Sequence, residues 1–141
     1  MIEFSAQNTF VLDNKEDIES WIVGVINSYE YTLGDLSYLF CDDEYLLGIN
    51  QEFLNHDTYT DIITFDYSYG KTLSAELLIS TQRVKDNAKA FKTSFSEELH
   101  RVMIHGVLHC LGFKDKTELE TEAMREAENK ALQLLENQLN T

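Results

Sequence analysis

Apolar positions recur along the chain with two periods, and the changes from one to the other set out the elements. Ile18, Trp21, Ile22, Val25 and Ile26 fall three and four residues apart, the spacing that lines one face of a helix. A helix is therefore predicted over about residues 14–29, opened by the capping-box pair Asp13 and Glu16. Residues 36–41 (LSYLFC) are rich in aromatic and branched side chains between Gly34-Asp35 and Asp42-Asp43, which predicts a strand, and a short helix over 43–55 is expected to follow. IITFD (62–66) and ELLIS (76–80) read as two neighbouring strands. Val84, Ala88 and Phe91 then mark a helix over 81–91. Ser94 with Glu97 opens another, carrying Leu99, Val102, Met103, Val107 and Cys110 on one side and stopping at Gly112. Thr117 with Glu120 starts the last helix, whose stripe is expected to be Leu119, Ala123, Ala127, Ala131, Leu134 and Leu135. With a first strand near residues 2–10, the fold class is α+β: a single domain, a mixed four-stranded sheet packed with about five helices.

Length agrees with that outline, because 141 residues, 43% hydrophobic, build one core without help from metal or disulfide. A metal, if bound, then has work other than holding the fold. No stretch is long and apolar enough to span a membrane, and no basic region precedes the first hydrophobics, so neither membrane span nor export signal is expected. Cys41 and Cys110, 69 positions apart and outside any CxxC, read as reduced thiols of a cytoplasmic protein.

Charge narrows the choice of partner. The formal net charge of −14 argues against a general nucleic-acid coat, since phosphate binding rests on Lys and Arg. Between Lys71 and Lys116, however, eight basic residues face five acidic ones, a local +3, while the remainder carries −17. That segment is either a solvated basic helix face or a phosphate-facing patch, with Arg83, Lys85 and Lys89 as its candidate contacts.

The chemistry centres on HGVLHCLGFKD (105–115). His105 and His109, four apart on one helix, project from the same face with about 6 Å between Cβ atoms, and neutral imidazole is a common zinc ligand. The plain alternative is one surface and one hydrogen-bonded core histidine. The turn at Gly112 carries Asp115 back toward the pair, offering a carboxylate as third ligand and leaving a fourth position open, as catalytic zinc sites require. Gly106 admits the close approach of another element, or is an ordinary packing glycine. It also stands where HExxH peptidases carry their glutamate base, which disfavours a peptidase. Proton transfer would then fall to water activated by the metal or to Glu98, seven residues before His105 on the same face; the same glutamate also suits the positive end of the helix dipole. His100 is turned about 140° from His105 and is not expected to bind metal. Tyr59, Tyr67 and Tyr69 offer rings to unpaired bases or to the sheet.

The run His105, Gly106, Leu108, His109, Gly112 and Phe113 resembles the hallmark of the YbeY family of bacterial ribosomal RNA maturation factors. Where that family continues with Asp and a third His, this chain has Lys114 and Asp115, so the resemblance implies a ligand set of two histidines and an aspartate. A second family pattern is matched by Asn50, Phe53, Asp57, Thr60, Asp61, Thr64 and Phe65, except that the family's arginine falls on Leu54, for which His56 is the nearest substitute. ELLIS answers the family's G-D-I-x-I-S strand, and Glu98-Leu99 leads into the histidine helix at the family's spacing. The resemblance implies a metal-dependent endoribonuclease acting on single-stranded RNA in ribosomal RNA maturation, in the cytoplasm, with one zinc per chain. Ribosomal RNA and the small ribosomal subunit are its partners, with no membrane and no DNA. The candidate site is accordingly His105 and Glu98 as catalytic residues, His105, His109 and Asp115 as metal ligands, and Arg83, Lys85, Lys89 and His56 as RNA contacts. Two other classes stay open: a ribosome-associated assembly factor with a structural metal, which Leu54 and the −14 charge favour, and a metal hydrolase of small substrates.

Overall fold

The computed structural model describes residues 1–54 and 59–140. The elements run β1 (Ile2–Ala6), α1 (Lys15–Ser28), β2 (Thr32–Cys41), α2 (Asp43–Leu54), β3 (Ile62–Asp66), β4 (Thr72–Ser80), α3 (Thr81–Ala90), α4 (Phe95–Cys110) and α5 (Glu118–Leu139). The sheet is mixed, in the order β1-β2-β4-β3: β2 lies parallel to β1 and β4, and β3 pairs antiparallel with β4. β3 is thus an edge strand.

Alternation along the strands divides the core. Leu36, Tyr38 and Phe40 of β2, with Leu73, Ala75, Leu77 and Ile79 of β4, face the main helical layer. Cys41, Ile63 and Leu78 face the other way, where α2 covers them with Leu46. α4 is the central helix, burying Leu99, Val102, Met103, Ile104, Val107 and Leu108, and each such side chain contributes about 1.5–3 kcal/mol. Two hydrogen bonds fix its surroundings. Tyr38 Oη donates to the Met103 carbonyl at 2.9 Å, and Trp21 Nε1 of α1 donates to the Ala131 carbonyl of α5 at 2.7 Å.

Gly106 is where α4 meets the sheet. A Cβ there would lie 2.9 Å from Ile62 Cδ1 and 3.0 Å from Leu77 Cδ2, so glycine lets the helix settle on β3 and β4 beside the first histidine. α4 ends as expected: Gly112 takes φ +107, the conformation that favours glycine, and Phe113 N–H closes onto the Leu108 carbonyl at 3.0 Å.

The termini differ in instructive ways. The capping box of Thr117 and Glu120 forms in both directions, at 3.1 and 3.0 Å. The one expected from Asp13 and Glu16 does not, because Asn14 occupies the cap in a left-handed conformation without a side-chain bond. β1 stops at Ala6, and both β2 and β4 begin four residues earlier than their apolar runs, since main-chain pairing extends past the side chains that advertise a strand. The stripe of α5 is also rotated. Met124, Ala127, Glu128, Ala131 and Leu135 are buried, whereas Leu119, Ala123 and Leu134 are exposed, because packing on both α1 and α4 decides the buried face. Phe91, the last apolar position of the spacing that marked this helix, is 64% exposed just past the end of α3.

Candidate metal centre

His105 and His109 stand one turn apart on α4, their ring centroids 4.6 Å from each other. Beyond the Gly112 turn, Asp115 returns to them, its Oδ2 lying 3.5 Å from His105 Nε2 and 3.3 Å from His109 Nε2. One donor atom from each of the three lies within 4.8 Å of the others. Both Nδ1 atoms are committed elsewhere. That of His109 meets the Phe113 carbonyl at 3.0 Å, and that of His105 meets Glu128 Oε2 at 2.6 Å. A carbonyl or carboxylate oxygen only accepts, so each Nδ1 carries the hydrogen and each Nε2 presents a lone pair.

Three electron-pair donors facing one another repel unless a proton or a cation lies between them. Bonds of 2.0–2.1 Å from a tetrahedral zinc put neighbouring ligands about 3.3–3.4 Å apart, the separation at which Asp115 meets the histidines. The donor set therefore fits a metal, and oxygen with imidazole suits zinc among other transition ions.

Glu128 is the residue that reading the sequence missed. It accepts from His105 and from Arg101 Nη1 at 2.9 Å, with Arg125 Nη1 at 3.7 Å, and it is 5% exposed. Burial by itself would raise its carboxyl, but the bonds from His105 and Arg101 outweigh burial and hold it below the usual glutamate value. For His105, burial disfavours the cation, and the bond and charge of Glu128, with Asp115 and Asp61 behind it, outweigh that and raise the imidazole. A carboxylate behind a ligand histidine fixes its tautomer and strengthens it as a donor. Its trace in the sequence is an acid at helical spacing within an apolar stripe, between Ala127 and Ala131.

Two cavities open on the triad. One, of about 490 Å³, runs along β3 and is lined by Thr60, Asp61, Thr64, Asp66 and the three donor residues. The other, about 320 Å³, lies between α3, α4 and α5 and shares Asp61, Ile62, His105 and Asp115 with the first. Burial raises Asp61, although the charge of His105 and the N–H groups of Asp61 and Ile62 act against it. Glu98 lines the second cavity. Burial and then the neighbouring Asp61 raise its carboxyl, and seven residues of α4 separate it from His105, about 10.5 Å along the axis. His100 lies outside both cavities, in a groove of about 530 Å³ between α4 and α5, edge-on to Trp21 at 6.0 Å, and burial lowers it.

The other expected residues scatter. Arg83 pairs with Asp43 at 2.7 Å and lies over the Tyr59 ring, whose hydroxyl donates to Glu44 at 2.7 Å. Asn87 and Phe91 mark the side of α3 that faces the second cavity, and at 100° per residue Lys85 and Lys89 point roughly the opposite way. Tyr67 and Tyr69 are exposed at the β3–β4 hairpin. Leu54 ends α2 at 41% exposure, and His56 lies outside the described residues. Among the described residues, no helix is long and apolar enough to cross a membrane.

Two histidines one turn apart, a carboxylate returned by a glycine turn and a buried glutamate behind the first histidine define an α+β domain whose donor group could bind a metal, with room for a substrate beside it. The family described as endoribonuclease YbeY matches residues 2–136, and the chain belongs to that family. It is 53% identical over 133 residues to the endoribonuclease YbeY of Christiangramia forsetii, covering 94% of this chain and 93% of the relative. With that of Flavobacterium johnsoniae it shares 49% over 132 residues, covering 94% and 95%. A solution structure of a Thermotoga maritima protein, 24% identical, matches with a TM-score of 0.70 over 99% of this chain and 92% of that one, a likeness of fold.

Proposed function

We propose that the protein is a metal-dependent endoribonuclease that cuts single-stranded RNA in ribosomal RNA maturation, with one zinc held by His105, His109 and Asp115. The observation that carries the reading is the convergence of three lone-pair donors, two of them imidazoles whose Nδ1 atoms are already engaged. It is supported by the relatives, which are named endoribonucleases. Bound zinc would supply a Lewis acid that polarises a phosphoryl oxygen and activates water.

The chain's own groups do the rest. Glu128 keeps the proton of His105 on Nδ1, so Nε2 stays a donor, and the Phe113 carbonyl does the same for His109. Asp61, where the two cavities meet, is placed to orient groups at the cut bond. Glu98 acts beside that bond, on the strand held in the second cavity. Lys85 and Lys89 neutralise phosphates beyond the cavities, and Arg83 does so only by leaving Asp43. The ribosomal RNA of the small subunit, met in the cytoplasm, is the substrate of this reading.

Cleavage of a single-stranded RNA by chelator-treated protein, with and without added zinc and beside Asp115→Ala, tests it. Zinc-dependent cutting that Asp115→Ala abolishes is expected. Zinc binding without any cutting would replace the reading with an assembly factor whose metal is structural, the role that Leu54 in place of arginine favours.

A further inference from the structure

The cavity between α3, α4 and α5 holds something the metal site does not need. Four carboxylates line it, and three are satisfied: Asp115 faces the histidines, Glu128 is bonded to His105 and Arg101, and Asp61 accepts main-chain N–H groups. The fourth, Glu98, is 5% exposed; its carboxylate makes no hydrogen bond or ion pair with any described residue, although the charges of Arg101 and Arg125 act on it. Among the described residues Arg83 Nε is the buried side-chain polar atom left unpaired, so the Glu98 oxygens are reached through the cavity that Glu98 lines, open to a donor from outside the chain.

The α3 side of the cavity supplies a second, independent observation. Phe91, a large apolar side chain, stands 64% exposed on the rim of this cavity, packed against no other ring among the described residues, with Asn87 one turn before it on α3. An exposed ring lining the same cavity as a carboxylate without a hydrogen bond suits a flat ligand with N–H groups on its edge. Unpaired RNA bases are held in that manner, stacked on an aromatic side chain and hydrogen-bonded along the edge they would otherwise pair with. Arg125, its side chain 58% exposed and only loosely paired with Glu128 at 3.7 Å, lines the same cavity as an available donor for a base carbonyl or the adjoining phosphate. About 320 Å³ falls in the range of small-ligand sites. The 10.5 Å of helix between Glu98 and His105 suits the nucleotide beside the scissile phosphate.

We infer that this cavity is a nucleobase subsite that selects guanine next to the cut, with Glu98 accepting the base N–H groups, Phe91 stacking on its face and Arg125 donating to its carbonyl or phosphate. Guanine is the base that presents two adjacent N–H donors, matching the two oxygens of one carboxylate; adenine, cytosine and uracil present fewer along that edge. The inference rests on the endoribonuclease reading for its position relative to the cut, but the subsite itself is testable without cleavage.

Zinc-loaded protein is given uridine tracts carrying one guanosine, adenosine or cytidine, and kcat and KM are measured for each. A good two-pronged contact to a base discriminates by about 5- to 150-fold, so that preference in kcat/KM for the guanosine tract is expected. Glu98→Gln keeps the size of the side chain but sets an amide N–H against the base donors. It should collapse the preference, with the loss falling on KM for the guanosine tract. No base preference in the wild type, or a Glu98→Gln variant that slows every tract equally through kcat, would overturn the proposal, the latter making Glu98 a proton-transfer group. Binding of guanosine monophosphate against uridine monophosphate to metal-free protein, followed by the amide resonances of Phe91 and Val102, stands apart from cleavage. Selective guanosine binding that Glu98→Gln removes sustains the subsite even if no RNA is cut, whereas equal binding of both nucleotides refutes it while leaving the endoribonuclease reading intact.

Discussion

Replacing Glu128 by Gln tests whether the carboxylate behind His105 tunes the metal centre. The substitution keeps the shape of the side chain but removes the charge that His105 Nδ1 meets at 2.6 Å and Arg101 meets at 2.9 Å. Loss of a carboxylate behind a ligand histidine lowers metal affinity about 10- to 100-fold, or about 1.4–2.7 kcal/mol of binding free energy. Competition with a chelator of known zinc affinity at pH 7.5 measures it. The pH dependence of the metal-free protein adds an independent reading of the same pair. Glu128 is held below its ordinary 4.5, so its contribution to stability is present above that pH and is lost as pH falls through the lower folded value. His105 is held above its ordinary 6.5, so its contribution is full below that pH and is lost as pH rises through the higher folded value. Both hold between about pH 4.5 and 6.5, and there the stability gap between wild type and Glu128→Gln, read from urea unfolding, should be widest. Zinc affinity should run the other way and strengthen as His105 loses its proton. Unchanged zinc affinity together with a stability gap that is flat from pH 4 to 9 would refute the reasoning.

Asp115→Ala should weaken zinc binding by more than about 100-fold, beyond the loss of an outer partner, yet leave metal-free stability nearly unchanged because the side chain is 42% exposed; chelator competition and thermal unfolding measure the two effects. Gly106→Ala sets a Cβ 2.9 Å from Ile62. About 1–3 kcal/mol of overpacking against about 1 kcal/mol of helix propensity gives a net loss of up to about 2 kcal/mol by urea denaturation. Leu54→Arg at the partly exposed end of α2 should fold, raise affinity for single-stranded RNA and steepen its log-log salt slope by about 0.7 for the added phosphate contact, as filter binding across a salt series would show.

The sequence alone determined the elements, the composition of the sheet and the donor set. His105 and His109 share a face because four residues make about one turn, and Asp115 returns because Gly112 reverses the chain where the apolar run stops. Those are short-range rules, and they reach no further than one helix and its turn. Glu128 lay beyond them: 23 residues from His105, it acquires its role only because α5 rests on α4, and that packing turns Met124, Glu128 and Leu135 inward in place of Leu119 and Leu134. Tertiary packing also placed Phe91 on a cavity rim, tied Arg83 to Asp43 and turned Lys85 and Lys89 away from the triad. Charge counts along a chain record which cations exist. Which of them remain available, and which carboxylate in a cavity is left without a hydrogen bond, depends on contacts between residues far apart in sequence, and only the folded structure decides those.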